Sequence, residues 1–581
     1  MNIQTFLEHH GIVRNPFAEE DAQTDQVFKE YCISSAYHPV WDKVYGDPKD
    51  PSTAIVFGPK GSGKTAMRLQ IDQHLQKYNK DNPGSQIFII RYDDFNPFLD
   101  HFCERMSRRT TRKPEKVLDA WKLWDHMDSI LCLGVTHFVD DVVTADKPNS
   151  KSSVDANKIK QLDRTAARDM LLLASCYDQS NDSAFVTRWN LLRKKLRYNN
   201  WSAKWSCVLA WCWSIAAIIF FALLFLRPAA PQVADDSDEA RVVSAQHVFV
   251  ARRPEPAVRE FHNANSSESC ATLSSRSVHT LIAEKDESVS GEATDEQAAD
   301  EAGGFFAWFN AVFKTRPDFK WLWLAPFVIL LGCLPFLIRW VKCHLIALGI
   351  RKHMRVGKRD VSSIRRVLLG IPAKELASQP LPRFDRTDDR YELLNKFQAV
   401  LEQLGYSGTV VLMDRVDEPH LTGGKPELMR RFVWPLLDNK LLKHPGLGFK
   451  MMLPQELHRD MERESREFHE RARLDKQNVI PAFQWTGESL YDLARARMMA
   501  CAADGTSPEP KDLFNSELDY QRLMSAFRSL RVPRHLFRFL YRVLVDHCNR
   551  YTDAEPEFKI KAETFETVHA VYDREANPTA G

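Results

Sequence analysis

Apolar and polar positions alternate along the chain in three distinct ways. Short runs rich in Val, Ile and Phe, bounded by turn residues, stand at Ala54–Phe57, Gln86–Tyr92, Thr409–Met413 and Gly448–Leu453, with a weaker one at Asn478–Gln484. Such runs predict buried strands. Apolar residues at helical spacing mark Thr65–Tyr78, most of Leu118–Cys176, and Leu513 to about Tyr551. Strands alternating with helices predict an α/β fold with a wound parallel sheet, followed by a helical C-terminal unit. The third pattern is two windows without any charge, Trp205–Leu226 with 22 residues and Trp321–Ile338 with 18. A hydrocarbon core about 30 Å thick needs ~20 apolar residues, so both windows predict transmembrane helices. Tryptophans cluster at their ends (Trp201, Trp205, Trp321, Trp323, Trp340), as interfacial anchors do.

Charge orients this pair. Arg188, Arg193, Lys194, Lys195, Arg197 and Lys204 precede the first window, and Arg339, Lys342, Arg351, Lys352, Arg355, Lys358 and Arg359 follow the second. The connector Pro228–Gly303 carries fifteen acidic residues against six basic ones. By the positive-inside rule both outer portions are cytoplasmic and the connector lies on the far side, in a two-pass topology at the cell (inner) membrane. The connector is too polar to build a core, which predicts disorder. It contains the glycosylation-type triplet Asn265-Ser266-Ser267, and Phe305–Phe313 beyond it reads as an interfacial segment. The N-terminus has no apolar stretch of signal-peptide type.

Composition narrows the chemistry. The 581 residues carry 79 basic against 77 acidic side chains, so no global charge favours nucleic acid, and no direct nucleic-acid binding is expected. Eleven cysteines stand singly, without C-x-x-C pairs, and the histidines show no metal-ligand spacing. Glu456–Lys476 is dense in balanced charges and reads as a solvated helix. Arg430-Arg431 reads as a surface pair, with an arginine finger to a neighbouring subunit as the alternative.

Residues 58–65, GPKGSGKT, fit G-x-x-x-x-G-K-[ST] at every specified place, between a predicted strand and a predicted helix. In such a loop Gly58, Pro59, Lys60, Gly61, Ser62 and Gly63 curl the backbone so that N–H groups face phosphate oxygens. Lys64 reaches the β- and γ-phosphates, and Thr65 places its hydroxyl on Mg²⁺. The expected ligand is ATP with Mg²⁺; GTP is disfavoured because no N-K-x-D follows a strand. A phosphate loop also needs a carboxylate at a strand tip. Val410–Met413 runs into Asp414, the expected metal-shell ligand, with Asp417 and Glu418 following; Glu418 is the preferred base for the attacking water and Asp417 the alternative. Asp93-Asp94 is a rival acidic pair after the strand at 86–92. About 350 residues and both apolar windows separate Lys64 from Asp414. Cytoplasmic flanks let two halves of one domain meet beneath a membrane hairpin.

With these residues the chain resembles the STAND-type P-loop NTPases, and among them the KAP group, whose members carry transmembrane helices between phosphate loop and acidic strand. Asp414-Arg415-Val416-Asp417-Glu418 is similar to the acidic motif of NACHT domains, from which Arg415 departs. The resemblance implies that Asn15-Pro16-Phe17 lies near the adenine and that Asn478–Arg497 leads into a lid helix. It also implies that Arg534, within Leu530–Leu536, senses the γ-phosphate. The implied layout is 1–200 as the first half of the NTPase domain with a helical insertion, and 205–226 and 321–341 as membrane helices. Residues 228–303 are then the extracytoplasmic connector, 343–500 the second half with the acidic strand, and 501–581 a helical lid. The expected function is a membrane-anchored, nucleotide-driven switch in signalling or defence, with homo-oligomerisation left open. The alternative is a nucleotide-binding membrane scaffold with negligible hydrolysis. Transport is a third reading, against which stand the missing LSGGQ-like signature and spans without internal charge.

Overall fold

The computed structural model describes residues 1–33, 37–145, 154–179, 182–226 and 324–576. The acidic connector, the Asn265 triplet, Phe305–Phe313, Trp321 and Trp323 lie outside the described residues. The elements that frame the site begin with α1 (Ile3–His9), β1 (Ala54–Gly58), α2 (Lys64–Asp81) and β2 (Gln86–Tyr92). Next come α3 (Leu123–Thr144), α4 (Arg164–Tyr177), and the apolar helices α5 (Trp201–Leu226) and α6 (Leu324–His353). Then follow α7 (Thr387–Gln403), β3 (Tyr406–Met413), β4 (Leu447–Pro454) and β5 (Asn478–Ile480), and finally α8 (Gly487–Ala500), α9 (Tyr520–Leu530), α10 (Pro533–Arg550) and α11 (Ala562–Ala576).

The five strands form one parallel sheet in the order β2-β3-β4-β1-β5. Both faces are covered, which is why the strands read as unbroken apolar runs and not as alternating ones. Side chains nevertheless divide by the two-residue period of the pleat. Ile55, Phe57, Phe88, Ile90, Val411, Met413, Phe449 and Met451 face the layer that contains α3, α4 and α7. Ala54, Val56, Ile87, Ile89, Val410, Leu412 and Met452 face the opposite layer, where α2 contributes Met67, Ile71 and Leu75. Those three stand four residues apart, one stripe of a helix, and each contributes about 2 kcal/mol on burial. The chain leaves β1 through α2 to the far edge at β2 and then returns strand by strand through β3 and β4, passing β1 to reach β5. The crossover after β1 thus lies on the opposite face from those after β2 and β3, and a crevice opens at the carboxyl end of β1. β5 is only three residues long, shorter than the expected run to Gln484, because Pro481 has no N–H for the ladder.

Helices α8 to α11 build a second core around Leu490, Met498, Phe527, Leu536 and Phe539. Phe6, Leu7, Ile12 and Phe17 from the N-terminus join it, so the first residues of the chain belong to the C-terminal helical core. The charge-dense stretch after β4 is not one solvated helix. It forms two short ones, Gln455–Glu462 and Arg466–Ala472, with Ser465 capping the second and Leu457, Met461, Phe468 and Ala472 buried.

The chain divides into two compact units, residues 1–210 with 334–581, and residues 211–333. Within the second, Trp213 Nε1 donates to the Val328 carbonyl at 2.9 Å, and Ser214 Oγ lies 3.2 Å from Cys333 Sγ. Among the described residues one helix, α6, is long and apolar enough to cross a membrane, with a window of mean hydropathy 2.1 and none of it buried. The strongly apolar part of α5, Val208–Leu223, is shorter than a span needs. α6 also runs on past the expected end at 341, because its helical apolar spacing continues through Cys343, Ala347 and Ile350, which are buried in the first unit.

Candidate functional site

The loop from Gly58 to Thr65 joins the carboxyl end of β1 to the first turn of α2. Gly61 (φ +85°) and Gly63 (φ +95°) occupy left-handed backbone that only glycine adopts without strain, and Gly63 caps the helix. A Cβ on Gly61 would also stand 2.7 Å from the Cβ of Arg534. The leading N–H groups of a helix have no partner within it, so α2 directs free donors and the positive end of its dipole into the crevice. Lys64 Nζ folds back and donates to the carbonyls of Gly58 at 2.8 Å and Pro59 at 2.9 Å. Burial holds its ammonium below the ordinary lysine range; Asp414, Asp417 and Glu456 oppose that shift and Arg534 adds to it. Ser62 is fully buried, its carbonyl accepts from Trp485 Nε1 at 2.8 Å, and its hydroxyl makes no hydrogen bond.

Asp414 leaves the tip of β3, separated from β1 by β4 alone, and is 2% exposed. Its carboxylate accepts from the Thr65 hydroxyl, and its Oδ2 makes no hydrogen bond, lying 3.5 Å from Arg68 Nε. Burial raises the Asp414 carboxyl, against the hydroxyl of Thr65 and the charges of Arg68 and Lys64. Arg68, one turn beyond Thr65, also binds Asp93 at 2.9 Å. Asp93 is therefore committed to Arg68, and Asp94 accepts from the Asn96 N–H; neither lines the cavity. Arg415 adopts φ +61° and holds Glu418 at 3.3 Å, with the Glu418 side chain 57% exposed. Partial burial raises the Glu418 carboxyl, Arg415 opposes, and Asp417 and Asp414 add to the shift.

Lys60, Gly61, Gly63, Lys64, Thr65, Asp414, Asp417, Glu418 and Arg534 line one cavity of about 340 Å³. The same cavity is also lined by apolar and aromatic side chains, Phe28, Cys32, His38, Phe483, Trp485 and Phe537, of which Phe483 and Trp485 pack against the loop itself. His38 stacks on Phe483 with ring centres 4.0 Å apart and accepts no charge easily, since burial lowers its pKa. Arg497 closes this end, donating to the Pro16 carbonyl at 2.6 Å and pairing with Asp25 at 2.5 Å. The segment Asn15-Pro16-Phe17 thus adjoins the aromatic end through Pro16 and through Phe17 on Phe537. Arg534 comes to the loop from the first turn of α10, its N–H donating to the Gly61 carbonyl at 3.3 Å and its Nε lying 3.5 Å from Glu20. Arg430 and Arg431 are tied to Glu464 and Asp119 and do not line the cavity.

Several residues here escaped the sequence reading. Glu456 lines the cavity from the end of β4, yet the charge-dense stretch it opens reads as solvent-facing. The available signal was its place two residues after an apolar strand. Arg68, His38, Trp485 and Glu20 carry no motif and are assembled by the fold alone. No family model matches the chain, and no curated protein and no solved structure matches it.

Proposed function

We propose that the chain is a membrane-anchored P-loop ATPase in which Mg²⁺·ATP, held between Gly58–Thr65 and Asp414, drives a conformational switch. One observation carries this reading. Lys64, Thr65 and Asp414 converge at the carboxyl edge of a parallel sheet, where the buried Oδ2 of Asp414 lacks a hydrogen bond. Among the described residues no three His, Cys, Asp or Glu side chains could hold a metal by themselves. One carboxylate and one hydroxyl, with phosphate and water completing the shell, suit the ligand habits of Mg²⁺. When bound, Mg²⁺ would neutralise charge on the β- and γ-phosphate oxygens.

The chain's own groups do the rest. Lys64 gives up the carbonyls of Gly58 and Pro59 and donates to phosphate oxygens, which restores charge-assisted bonds to a buried ammonium. The amides of the loop and the first turn of α2 bind the phosphates, and the aromatic wall receives the flat base. Asp417 and Glu456 stand as bases for the attacking water alongside Glu418, because all three line the cavity that holds Lys64 while Glu418 is engaged by Arg415. Arg534 contacts the loop through Gly61, so closure over a γ-phosphate can be passed to the C-terminal helices. In this reading ATP binding orders or oligomerises the cytoplasmic domain, in the manner of the STAND and KAP NTPases that the motifs resemble. α6 anchors the protein; in the two-pass form of this reading the whole of Trp201–Leu226 crosses with it, its ends beyond Val208–Leu223 lying at the interfaces, and both termini are cytoplasmic.

A nucleotide-binding scaffold without turnover is the second reading, favoured by Arg415, whose left-handed backbone and ion pair hold Glu418 at the surface. Steady-state ATP turnover of the purified protein, measured beside nucleotide affinity, separates the two. Turnover abolished by Asp414→Asn supports the ATPase; tight binding with no turnover supports the scaffold.

A further inference from the structure

The exposed apolar face of α6 does not end in open solvent. Leu337, Val341, Leu345 and Leu348 lie along one side of the helix at spacings of three and four, all exposed, with Leu345 at 60%. The next positions on that side are Arg351 and Lys352, about 6 Å further along the axis. There the chain forms a cavity of about 670 Å³ whose wall carries five basic residues, Arg105, Arg351, Lys352, Lys358 and Arg359, against Glu104 and Asp360. The two acids are already engaged: Lys358 pairs with Glu104 at 3.3 Å, and Asp360 accepts from the Ser362 N–H at 3.1 Å as a helix cap. Arg359 is buried over the ring of Phe185, 4.0 Å from its centre. Arg351 and Lys352 are exposed and have no carboxylate partner among the described residues.

Topology alone would require only basic residues after a membrane helix. Here a distant segment joins them. Arg105 donates to the Gly357 carbonyl at 2.7 Å and to the Arg351 carbonyl, which fixes its guanidinium beside the helix end and adds positive charge where repulsion is already present. An anion relieves that repulsion, and the apolar stripe leading into the cavity selects an anion that carries hydrocarbon. We propose that the cavity at Arg105, Arg351 and Lys352 binds the phosphate-bearing headgroup of an anionic phospholipid whose acyl chains lie along Leu337–Leu348. The proposal rests on the reading of α6 as a membrane helix.

The test uses the full chain in nanodiscs of phosphatidylcholine with and without phosphatidylglycerol, and counts retained lipid by native mass spectrometry. The wild type is expected to retain phosphatidylglycerol about thirtyfold more strongly than Arg351→Gln/Lys352→Gln, as the loss of two headgroup cations predicts. Arg351→Lys/Lys352→Arg keeps the charge and should restore retention. Both side chains are exposed, and an unchanged melting temperature checks that the fold survives. Equal retention by wild type and the neutral variant overturns the site while leaving the anchor intact. Displacement of the lipid by inorganic phosphate or soluble glycerophosphate makes it a free-phosphate site and overturns the lipid assignment. Extraction of the wild type from vesicles by alkaline carbonate removes the membrane reading itself.

Discussion

At the residue scale, the proposed chemistry rests on the loop lysine and the acids around it. Asp417 and Glu456 line the cavity with Lys64, while Glu418, on the same wall, is largely exposed and held in its ion pair with Arg415. Asp417→Asn is therefore expected to cut ATP turnover by about 10²–10⁴-fold with nucleotide affinity unchanged, as loss of a general base does. Glu418→Gln should stay within about tenfold of wild type, with Glu456→Gln as the companion measurement. A collapse of turnover in Glu418→Gln alone makes Glu418 the base. A second residue governs stability. His126 is fully buried in α3, where its Nε2 donates to the Phe432 carbonyl at 2.7 Å and its Nδ1 accepts from the Tyr92 hydroxyl at 2.9 Å. Burial pushes its pKa down to about 4, whereas in the unfolded chain histidine titrates near about 6.5. Between those values the unfolded chain takes up a proton that the folded chain refuses. Stability therefore falls as pH drops through this window, by on the order of 3 kcal/mol from this residue. Melting temperatures at about pH 7 and about pH 5 should converge in His126→Gln relative to wild type; an unchanged pH response contradicts this assignment.

At the element scale, the β1–α2 loop meets the first turn of α10 with no room for a side chain at Gly61. Gly61→Ala would force an L-residue to φ +85° and bring its Cβ to 2.7 Å from that of Arg534, backbone-anchored at the start of α10. The expected result is nucleotide affinity lowered by about tenfold with a modest loss of melting temperature, since one strained position costs about 1–2 kcal/mol. Affinity equal to wild type would show that α10 moves freely away from the loop. How much of this was legible in the sequence follows from what each element buries. β1 to β4 could be read because strands covered on both faces are continuous apolar runs, and α2 because its stripe repeats every four residues. β5 was overextended because Pro481 breaks the strand, although the Phe483 N–H beyond it still donates to the Phe57 carbonyl of β1 at 2.7 Å. The order β2-β3-β4-β1-β5 and the recruitment of Phe6 and Leu7 to the C-terminal core depend on contacts hundreds of residues apart, which no local pattern encodes. The loop Gly58–Thr65 and Asp414 were legible because the chemistry proposed for them demands fixed residue types. Glu456 and His38 were not, because many side chains could occupy their places and only the fold brings them to the cavity, just as only the fold brings Arg68 to Asp414.

At the scale of the whole molecule, the α/β unit is interrupted in sequence between α4 and α7 by the chain that carries α5 and α6. Buried ion pairs stand close to the exit from α6. Arg355, two residues past its end, binds Asp125 of α3 at 2.9 Å, and Arg390 of α7 meets Asp128 of α3 at 3.1 Å with both side chains fully buried. α3 is thereby joined to the chain just beyond α6 and, through His126 and Tyr92, to the end of β2. If both flanks are cytoplasmic, as proposed, a protease added to right-side-out vesicles is expected to cut only within 228–303 and to spare the remainder. Cleavage confined to the first 200 residues would reverse the topology. The central claim concerns the nucleotide, and isothermal titration with Mg²⁺·ATP tests it most directly in wild type and Lys64→Ala. Removing Lys64 deletes charge-assisted bonds to phosphate, so affinity is predicted to fall by about a hundredfold or more at an unchanged melting temperature. Binding by Lys64→Ala within a few-fold of wild type would contradict the account.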